Sequence, residues 1–261
     1  MRAALRVLVL LLVGAFAAAE AQVSYLDHAG AINKAGRQRM LSQRVVKCFA
    51  QIVEDVSPAA ARAQLGEAII VLDDQIADLK AYAPTAEIRE TVAEVERHWL
   101  AARTLAMGTA RHTTTFELLA AAELMLGAAE RNTTAIERNA GLATGRLVNL
   151  AGRQRMLSQR MAARHVMLGM QADQTALERD LQAARDEFSR ALEQLRSAPE
   201  NTPEIQAEFA AVTEQWQRLE PMLGVGAEYS KNRAAVVATA DIILNRMDRI
   251  TGAYQRVAIT R

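Results

Sequence analysis

The sequence is poor in cysteine, aromatic residues, glycine and proline, and each shortage excludes a class of protein. Cys48 is the one cysteine, so the chain cannot form an internal disulfide, and without a C-x-x-C-H motif it cannot attach a c-type haem. Only 4% of the residues are aromatic, and 13 glycines and 5 prolines argue against a β-sandwich or a doubly wound sheet. The net charge of +1 gives no bulk attraction to nucleic acid or to a membrane surface, so we expect no nucleic-acid partner.

Catalytic signatures are missing as well. The sequence contains no His-Glu-x-x-His, no G-x-S-x-G, no P-loop and no G-x-G-x-x-G. No histidine has an acidic residue three positions before it, which excludes the Glu-x-x-His pattern of di-iron bundles. We therefore expect no enzymatic activity, no metal and no cofactor, and we interpret the four histidines as ordinary core or surface residues: His28, His98, His112 and His165.

The N-terminus has the pattern of a secretory signal peptide. Two basic residues, Arg2 and Arg6, accompany a short apolar run over Leu5–Ala19, and Ala19-Glu20-Ala21 is an A-x-A cleavage site. The run is shorter than the roughly 20 residues that a spanning helix needs. We predict a cleaved signal peptide over residues 1–21 and a periplasmic mature protein; the alternative is an uncleaved N-terminal membrane anchor.

The most informative feature is a repeated decapeptide, Ala-Gly-Arg-Gln-Arg-Met-Leu-Ser-Gln-Arg, at Ala35–Arg44 and at Ala151–Arg160. An asparagine, Asn33 or Asn149, precedes each copy by two residues. A duplicated core helix needs only its apolar pattern, whereas here the polar residues match position for position. The conserved polar residues of the repeat therefore indicate a function.

The duplication extends beyond the decapeptide. Trp99 matches Trp216, and Ala122–Leu126 matches Ala240–Leu244. The chain therefore divides into two units after the signal peptide, at residues 22–140 and 141–261.

Each unit has the pattern of four helices. Apolar residues recur at spacings of three and four, as in the run Leu65, Ile69, Leu72, Ile76 and Leu79. We predict an all-α fold of two tandem antiparallel four-helix bundles, with the first helix from about Ser24 to Val53. Ser57, Thr85 and Thr202 are the predicted N-caps of later helices.

The junction between the units holds two glycines and a threonine that suits a helix cap, Gly141, Gly145 and Thr144. These residues favour a turn, but a continuous helix through residues 139–145 stays open. A turn would let the two decapeptides meet within one chain. A continuous helix would instead require a homodimer to complete each site.

On a helix the decapeptide places Gly36, Arg39, Met40 and Gln43 on one face, and the copy does the same with Gly152, Arg155, Met156 and Gln159. Glycine allows a close approach, and a guanidinium suits planar oxyanions. Two units related by a pseudo-two-fold axis would bring Arg39 and Arg155 face to face, where an anion cancels their repulsion.

We expect the methionines, both tryptophans and Cys48 in the core, and the other arginines solvated or paired at the surface: Arg37, Arg44, Arg153 and Arg160. The asparagines could cap, pair across helices or orient an arginine.

The run Asn33-x-x-Gly36-x-x-Arg39-Met40-x-Ser42-x-Arg44 and its copy resemble the P-box of the periplasmic nitrate/nitrite sensor kinases NarX and NarQ. The pattern is still more similar to the PilJ-type N-terminal domain of type IV pili methyl-accepting chemotaxis proteins. The resemblance implies four-helix bundles that dimerise through their first helices and bind nitrate or a similar anion at the dimer axis. It assigns the anion contacts to Arg39 and Arg155, with Gly36 and Gly152 beside them.

Two hypotheses follow. The first is an exported sensor that binds nitrate or nitrite between the two arginines and relays occupancy to a membrane sensor kinase, chemoreceptor or transporter, with the asparagines, methionines and glutamines of the box as possible support: Asn33, Asn149, Met40, Met156, Gln43 and Gln159. The second is a helical interaction module without a ligand. Its boxes would dock onto another P-box sensor, a chemoreceptor or a type IV pilus component.

Overall fold

The computed structural model describes residues 26–142, 144–170, 174–224 and 229–259, and these residues contain eight α-helices and no strand. A single 3-10 turn, Glu220–Met222, follows the seventh helix. This confirms the predicted all-α fold. The helices are α1 His28–Val53, α2 Pro58–Tyr82, α3 Ala86–Ala106, α4 His112–Ala140, α5 Gly145–Met167, α6 Gln174–Arg196, α7 Pro203–Leu219 and α8 Tyr229–Ile259.

The helices pack as two bundles that share one central contact. In the first unit α1 packs against α2 and α4, and α3 packs against α4. In the second unit α5 packs against α6 and α8, and α7 packs against α8. The most extensive contact of all is between α1 and α5, the two helices that carry the decapeptides, so the units are joined through their first helices.

Helices α1 and α5 run in the same direction. Near the start of α1, Asn33 accepts a hydrogen bond from Arg155 of α5. Further along, Gln43 accepts from Arg164. Because later residues of α1 meet later residues of α5, the pair is parallel and the two decapeptides lie side by side.

The predicted N-cap residues Ser57, Thr85 and Thr202 all occupy N-cap positions, and the first helix is the one whose start differs from the prediction. The side chains of Thr85 and Thr202 accept hydrogen bonds from the third backbone N–H of their helices, as N-caps do. Ser57 occupies the N-cap position of α2, but its backbone is left-handed with φ of 50° and its side chain makes no cap bond. Helix α1 begins at His28 rather than near Ser24, because Asp27 caps it by accepting from the Gly30 N–H.

The junction between the units is a turn. Helix α4 ends at Ala140, and Gly141 follows in the left-handed conformation, with φ of 60°, that only glycine adopts without strain. Helix α5 then begins at Gly145, after Thr144, whose side chain makes no cap bond. The break at Gly141 allows α5 to fold back beside α1, which a continuous helix would forbid.

Each unit has a core around one tryptophan. Trp99 of α3 is buried and donates its indole N–H to Asp73 at 2.6 Å. Trp216 of α7 is buried against Phe188 of α6, with ring centroids 4.5 Å apart. The duplicated tryptophans and Cys48 are core residues, as the sequence predicts.

The predicted signal peptide, residues 1–21, lies outside the described residues. Within the ranges that are described, every helix is either too short or too polar to span a bilayer.

The contrast between Thr85 and Ser57 gives a test of the helix starts. Thr85→Ala should lower the free energy of unfolding by about 1 kcal/mol, because it removes a cap bond. Ser57→Ala should leave it nearly unchanged, because the serine side chain makes no such bond. Urea unfolding of both variants measures the difference, and equal losses would contradict the assigned caps.

Candidate functional site

The two decapeptides meet at a pair of glycines. A Cβ atom built on Gly152 would lie 3.9 Å from the Cα of Gly36, so the backbones of α1 and α5 approach closely here. The same Cβ would lie 3.2 Å from Arg155 Nη2 and 3.4 Å from Arg39 Nη2. The two guanidinium groups therefore meet at the glycine contact, with one Nη2 atom of each close to the same point.

Arg39 crosses from α1 to α5. Helical side chains lean toward the N-terminus, so Arg39 folds back over Gly36, one turn before it. Its Nη2 donates to the Asn149 side-chain oxygen at 2.7 Å and to the Asn149 carbonyl at 3.1 Å. Its Nη1 donates to Glu130 of α4 at 2.7 Å, and the whole side chain is buried.

Arg155 repeats these bonds in the opposite sense. Its Nη2 donates to the Asn33 side-chain oxygen at 2.8 Å and to the Asn33 carbonyl at 3.3 Å, and its Nη1 donates to Asp248 of α8 at 2.5 Å. Of the three roles open to the asparagines, the structure supports the second and the third. Asn33 pairs across helices by donating to Gln255 of α8 at 2.8 Å, and Asn149 does so by donating to Glu137 of α4. Each asparagine orients the arginine of the other unit.

The pair of arginines remains charged despite its burial. Burial lowers the pKa of Arg155 to about 10, against the opposing effect of Asp248, and it lowers the pKa of Arg39 against that of Glu130. Because a guanidinium group stays protonated in proteins, both buried side chains are cations.

Each arginine also has an unused donor. The Nε atoms of Arg39 and Arg155 are buried and have no hydrogen-bond partner among the described residues. A buried donor without an acceptor costs about 1 to 3 kcal/mol. The site therefore has hydrogen-bonding capacity that the protein itself does not satisfy.

The other predicted support residues lie apart from the arginine pair. Met40 and Met156 are buried in the core. Gln43 donates to Glu123 at 3.1 Å, and Gln159 donates to Asp241 at 3.0 Å. The glutamines thus belong to a second polar layer, further along the same two helices.

Two more cations are buried in this second layer, and each pairs with the other unit. Lys47 of α1 donates to Asp241 of α8 at 2.5 Å. Arg164 of α5 donates to Glu123 of α4 at 2.6 Å and to Asp180 of α6 at 2.5 Å. Removing one partner of such a buried pair typically costs 3 to 5 kcal/mol, because it leaves a buried charge without a partner. These bonds therefore oppose separation of the two units.

The remaining arginines of the decapeptides are half-buried. Arg153 bonds to Glu130 and Glu187, and Arg160 bonds to Glu123 and Asp180. The predicted pairing is therefore right for these two, although they line a cleft rather than an open surface. Arg37 and Arg44 differ from Arg153 and Arg160, because the Nε atom of each is buried and has no hydrogen-bond partner among the described residues.

The sequence reasoning missed the acidic partners. Glu130 and Asp248 are repeat equivalents with an offset of 118, and so are Glu123 and Asp241 in the segments already matched. The signal was an acidic residue kept at the same place in both copies. Lys47 and Arg164 have no such signal, because their repeat equivalents are Ala163 and Cys48.

The histidines and acidic residues form no metal centre within the described ranges, where no group of three potential ligands comes together. His28 pairs with the Tyr82 hydroxyl at 2.6 Å, and His112 lies 3.0 Å from Glu54. These contacts fit ordinary surface roles.

Comparison with known families identifies the repeat. The sequence matches the family PilJ, described as "Type IV pili methyl-accepting chemotaxis transducer N-term", over residues 24–124 and again over residues 141–242. The two matches cover most of the chain, in tandem, and each includes one decapeptide. No curated protein and no solved structure matches the chain.

The glycine contact gives a prediction with a built-in control. Gly66 lies within α2 with open space around it, so Gly66→Ala should raise the free energy of unfolding by about 0.5 to 1 kcal/mol. Gly152→Ala should lower it, because the new methyl group would push both guanidinium groups away from their partners. Denaturant unfolding compares the two, and a stabilised Gly152→Ala would contradict the close contact.

Three carboxylates that pair with buried cations make the stability of the fold depend on pH. Burial alone would raise the pKa values of Glu130, Asp180 and Asp241, but the adjacent cations outweigh it and hold all three below their usual range. The folded state therefore binds fewer protons than the unfolded state, whose carboxyl pKa values are about 4. The contribution of these carboxylates to the free energy of unfolding should be fully present above about pH 5 and should fall progressively below about pH 4. Urea unfolding from pH 7 to pH 3 measures this, and a flat profile would contradict the assigned ion pairs.

Proposed function

The chain belongs to the PilJ family of type IV pili methyl-accepting chemotaxis transducer N-terminal domains, and on that premise we propose that it is a sensor of a small oxyanion, nitrate or nitrite, bound between Arg39 and Arg155. The family makes the chain a sensory module of the chemotaxis- and pilus-related kind. The ligand is the further step, and it rests on the geometry of the arginine pair.

The observation that carries the proposal is the meeting of two buried, charged guanidinium groups at the Gly36–Gly152 contact. Two unit charges about 7 Å apart repel by about 2 kcal/mol at an effective dielectric of 20. An anion between them replaces that repulsion with attraction and adds charge-assisted hydrogen bonds of about 1.5 to 3 kcal/mol each. The unused Nε donors are available for such bonds.

The shape of the site favours a small planar oxyanion. Guanidinium groups form forked hydrogen bonds to planar oxyanions. A Cβ atom on Gly152 would lie 3.2 Å from Arg155 Nη2 and 3.4 Å from Arg39 Nη2, so an anion held between these atoms would have to consist of only a few atoms. Nitrate and nitrite have this size, planarity and charge.

Glu130 and Asp248 would couple anion binding to the helices that carry them. These carboxylates neutralise the arginines. An anion that takes over part of this role would weaken the hold of Arg39 on α4 and of Arg155 on α8. Only such a differential interaction shifts a conformational equilibrium, so α4 and α8 are the helices through which occupancy would be relayed.

The partner that receives the signal would be a membrane protein: a sensor kinase, a chemoreceptor or a transporter. The signal-like pattern of residues 1–21 supports a periplasmic location. The alternative function, docking of the boxes onto another P-box protein or a pilus component, has less support. The box faces already pack against each other and are buried.

Calorimetric titration with nitrate and nitrite tests the proposal. We expect one anion per chain in a protein of monomeric mass. Arg39→Gln and Arg155→Gln should each weaken binding at least a hundredfold, because each removes half of the site. Arg164→Gln is the matched control, since it removes an equally buried arginine from the second layer, and it should change affinity only a few-fold.

Thermal unfolding of each variant shows whether it is folded. No heat with either anion would sink the proposal. Binding that survives both substitutions would place the anion elsewhere.

A further inference from the structure

The two halves of the arginine site differ at one pair of equivalent residues. Arg153 and Arg37 occupy the same position in the two decapeptides. Arg153 is neutralised twice, by Glu130 with 2.9 Å between Nη1 and Oε1 and by Glu187. Arg37 has a buried Nε without a hydrogen-bond partner and forms no salt bridge within the part of the chain that is described.

The sequence explains this difference. Val71 stands where the repeat has Glu187, at an offset of 116, so one carboxylate is missing. Asp248 stands where the repeat has Glu130 and is one methylene shorter. Asp248 bonds to Arg155, but among the described residues it forms no salt bridge to Arg37. The second half of the site therefore keeps one cation that is not neutralised.

A cavity of about 180 Å³ lies beside this cation, between α1, α2 and α8. Its polar lining consists of Asn33, Lys34, Arg37, Gln75 and Gln255. Asn33 is also the residue that accepts from Arg155 Nη2 at 2.8 Å, so one side chain of the cavity wall touches the arginine pair. Arg37 is close enough to Arg155 for its charge to lower the pKa of that arginine.

The opposite side of the site has the reverse charge. A cleft of about 350 Å³ between α4, α5 and α6 is lined by four carboxylates, Glu123, Glu130, Asp180 and Glu187. The two arginines that line it are each bridged by two of these carboxylates. Such a lining disfavours an approaching anion, whereas no acidic residue of the described ranges lines the cavity beside Arg37.

We propose that the cavity beside Arg37 is the entrance to the oxyanion site and that Arg37 is its third cation. This inference rests on the proposed function, because it concerns the same anion. The site is thus asymmetric although the decapeptides are identical. An anion approaches from the side of α2 and α8, is attracted by the un-neutralised guanidinium of Arg37, and reaches the arginine pair past Asn33.

Equivalent substitutions at the repeated position test the inference. Arg37→Gln should lower the affinity for nitrate about tenfold, measured by calorimetry at low salt. Arg153→Gln makes the same chemical change at the equivalent position and should lower the affinity several-fold less than Arg37→Gln does, because Arg153 is already neutralised by two carboxylates. Equal effects of the two substitutions would overturn the inference and leave the proposed function standing.

Restoring the missing carboxylate gives the reverse test. Val71 is half-buried, so Val71→Glu can place its carboxylate where the repeat has Glu187, and it should lower nitrate affinity by a similar factor. Val71→Gln is the uncharged control and should have little effect. In the Arg37→Gln background, Val71→Glu should cause no further loss, because its target is gone.

The outcomes separate the two proposals. A further loss in the double variant would overturn the role of Arg37. If neither the wild-type chain nor any folded variant binds nitrate or nitrite, the proposed function fails and the inference fails with it. Thermal unfolding shows whether Val71→Glu is folded, and the Arg37 and Arg153 pair decides the inference if it is not.

Discussion

Four cationic side chains are buried between the two bundles, and the cost of removing them from water governs the rest of the structure. Arg39, Arg155, Lys47 and Arg164 are each at most 1% exposed. Every one of them bonds to a residue of the unit that it does not belong to. Polar side chains that bond to the opposite unit therefore hold the contact between α1 and α5, together with apolar packing.

The contact between the two repeats is symmetric at some positions and asymmetric at others. The arginine pair keeps the repeat symmetry, because Arg39 and Arg155 bond in opposite senses to equivalent asparagines. The second polar layer does not keep it, because Lys47 pairs with Asp241 on one side and Arg164 pairs with Glu123 on the other. Two identical chains would have to change together, whereas two fused copies can change separately. Arg153 and Arg37 are an example, because Arg153 bonds to two carboxylates and Arg37 forms no salt bridge within the described ranges.

Much of the fold was predictable because it depends on local patterns. Apolar spacings of three and four predicted the helices, and Thr85 and Thr202 predicted the starts of α3 and α7. The position of Ser57 at the start of α2 was predictable from the sequence, but its left-handed backbone was not.

The site was only partly predictable. The glycine and arginine face follows from helical geometry, and the meeting of the two copies follows once the junction is a turn. The acidic partners come from α4 and α8, far along the chain, and no local pattern connects them to the arginines. Arg37 and Arg153 have the same neighbours in sequence, so residues of other helices distinguish them. Val71 of α2 stands where α6 has Glu187, and Asp248 of α8 stands where α4 has Glu130.

The turn at Gly141 has a consequence for how the site responds to dilution. Residues 141–144 are the whole connection between the two bundles. A short tether of this kind gives the second half of a contact an effective concentration in the millimolar range or above. The arginine pair is therefore assembled in every folded molecule, however dilute the protein. A reading of anion concentration by this chain would be independent of its own copy number.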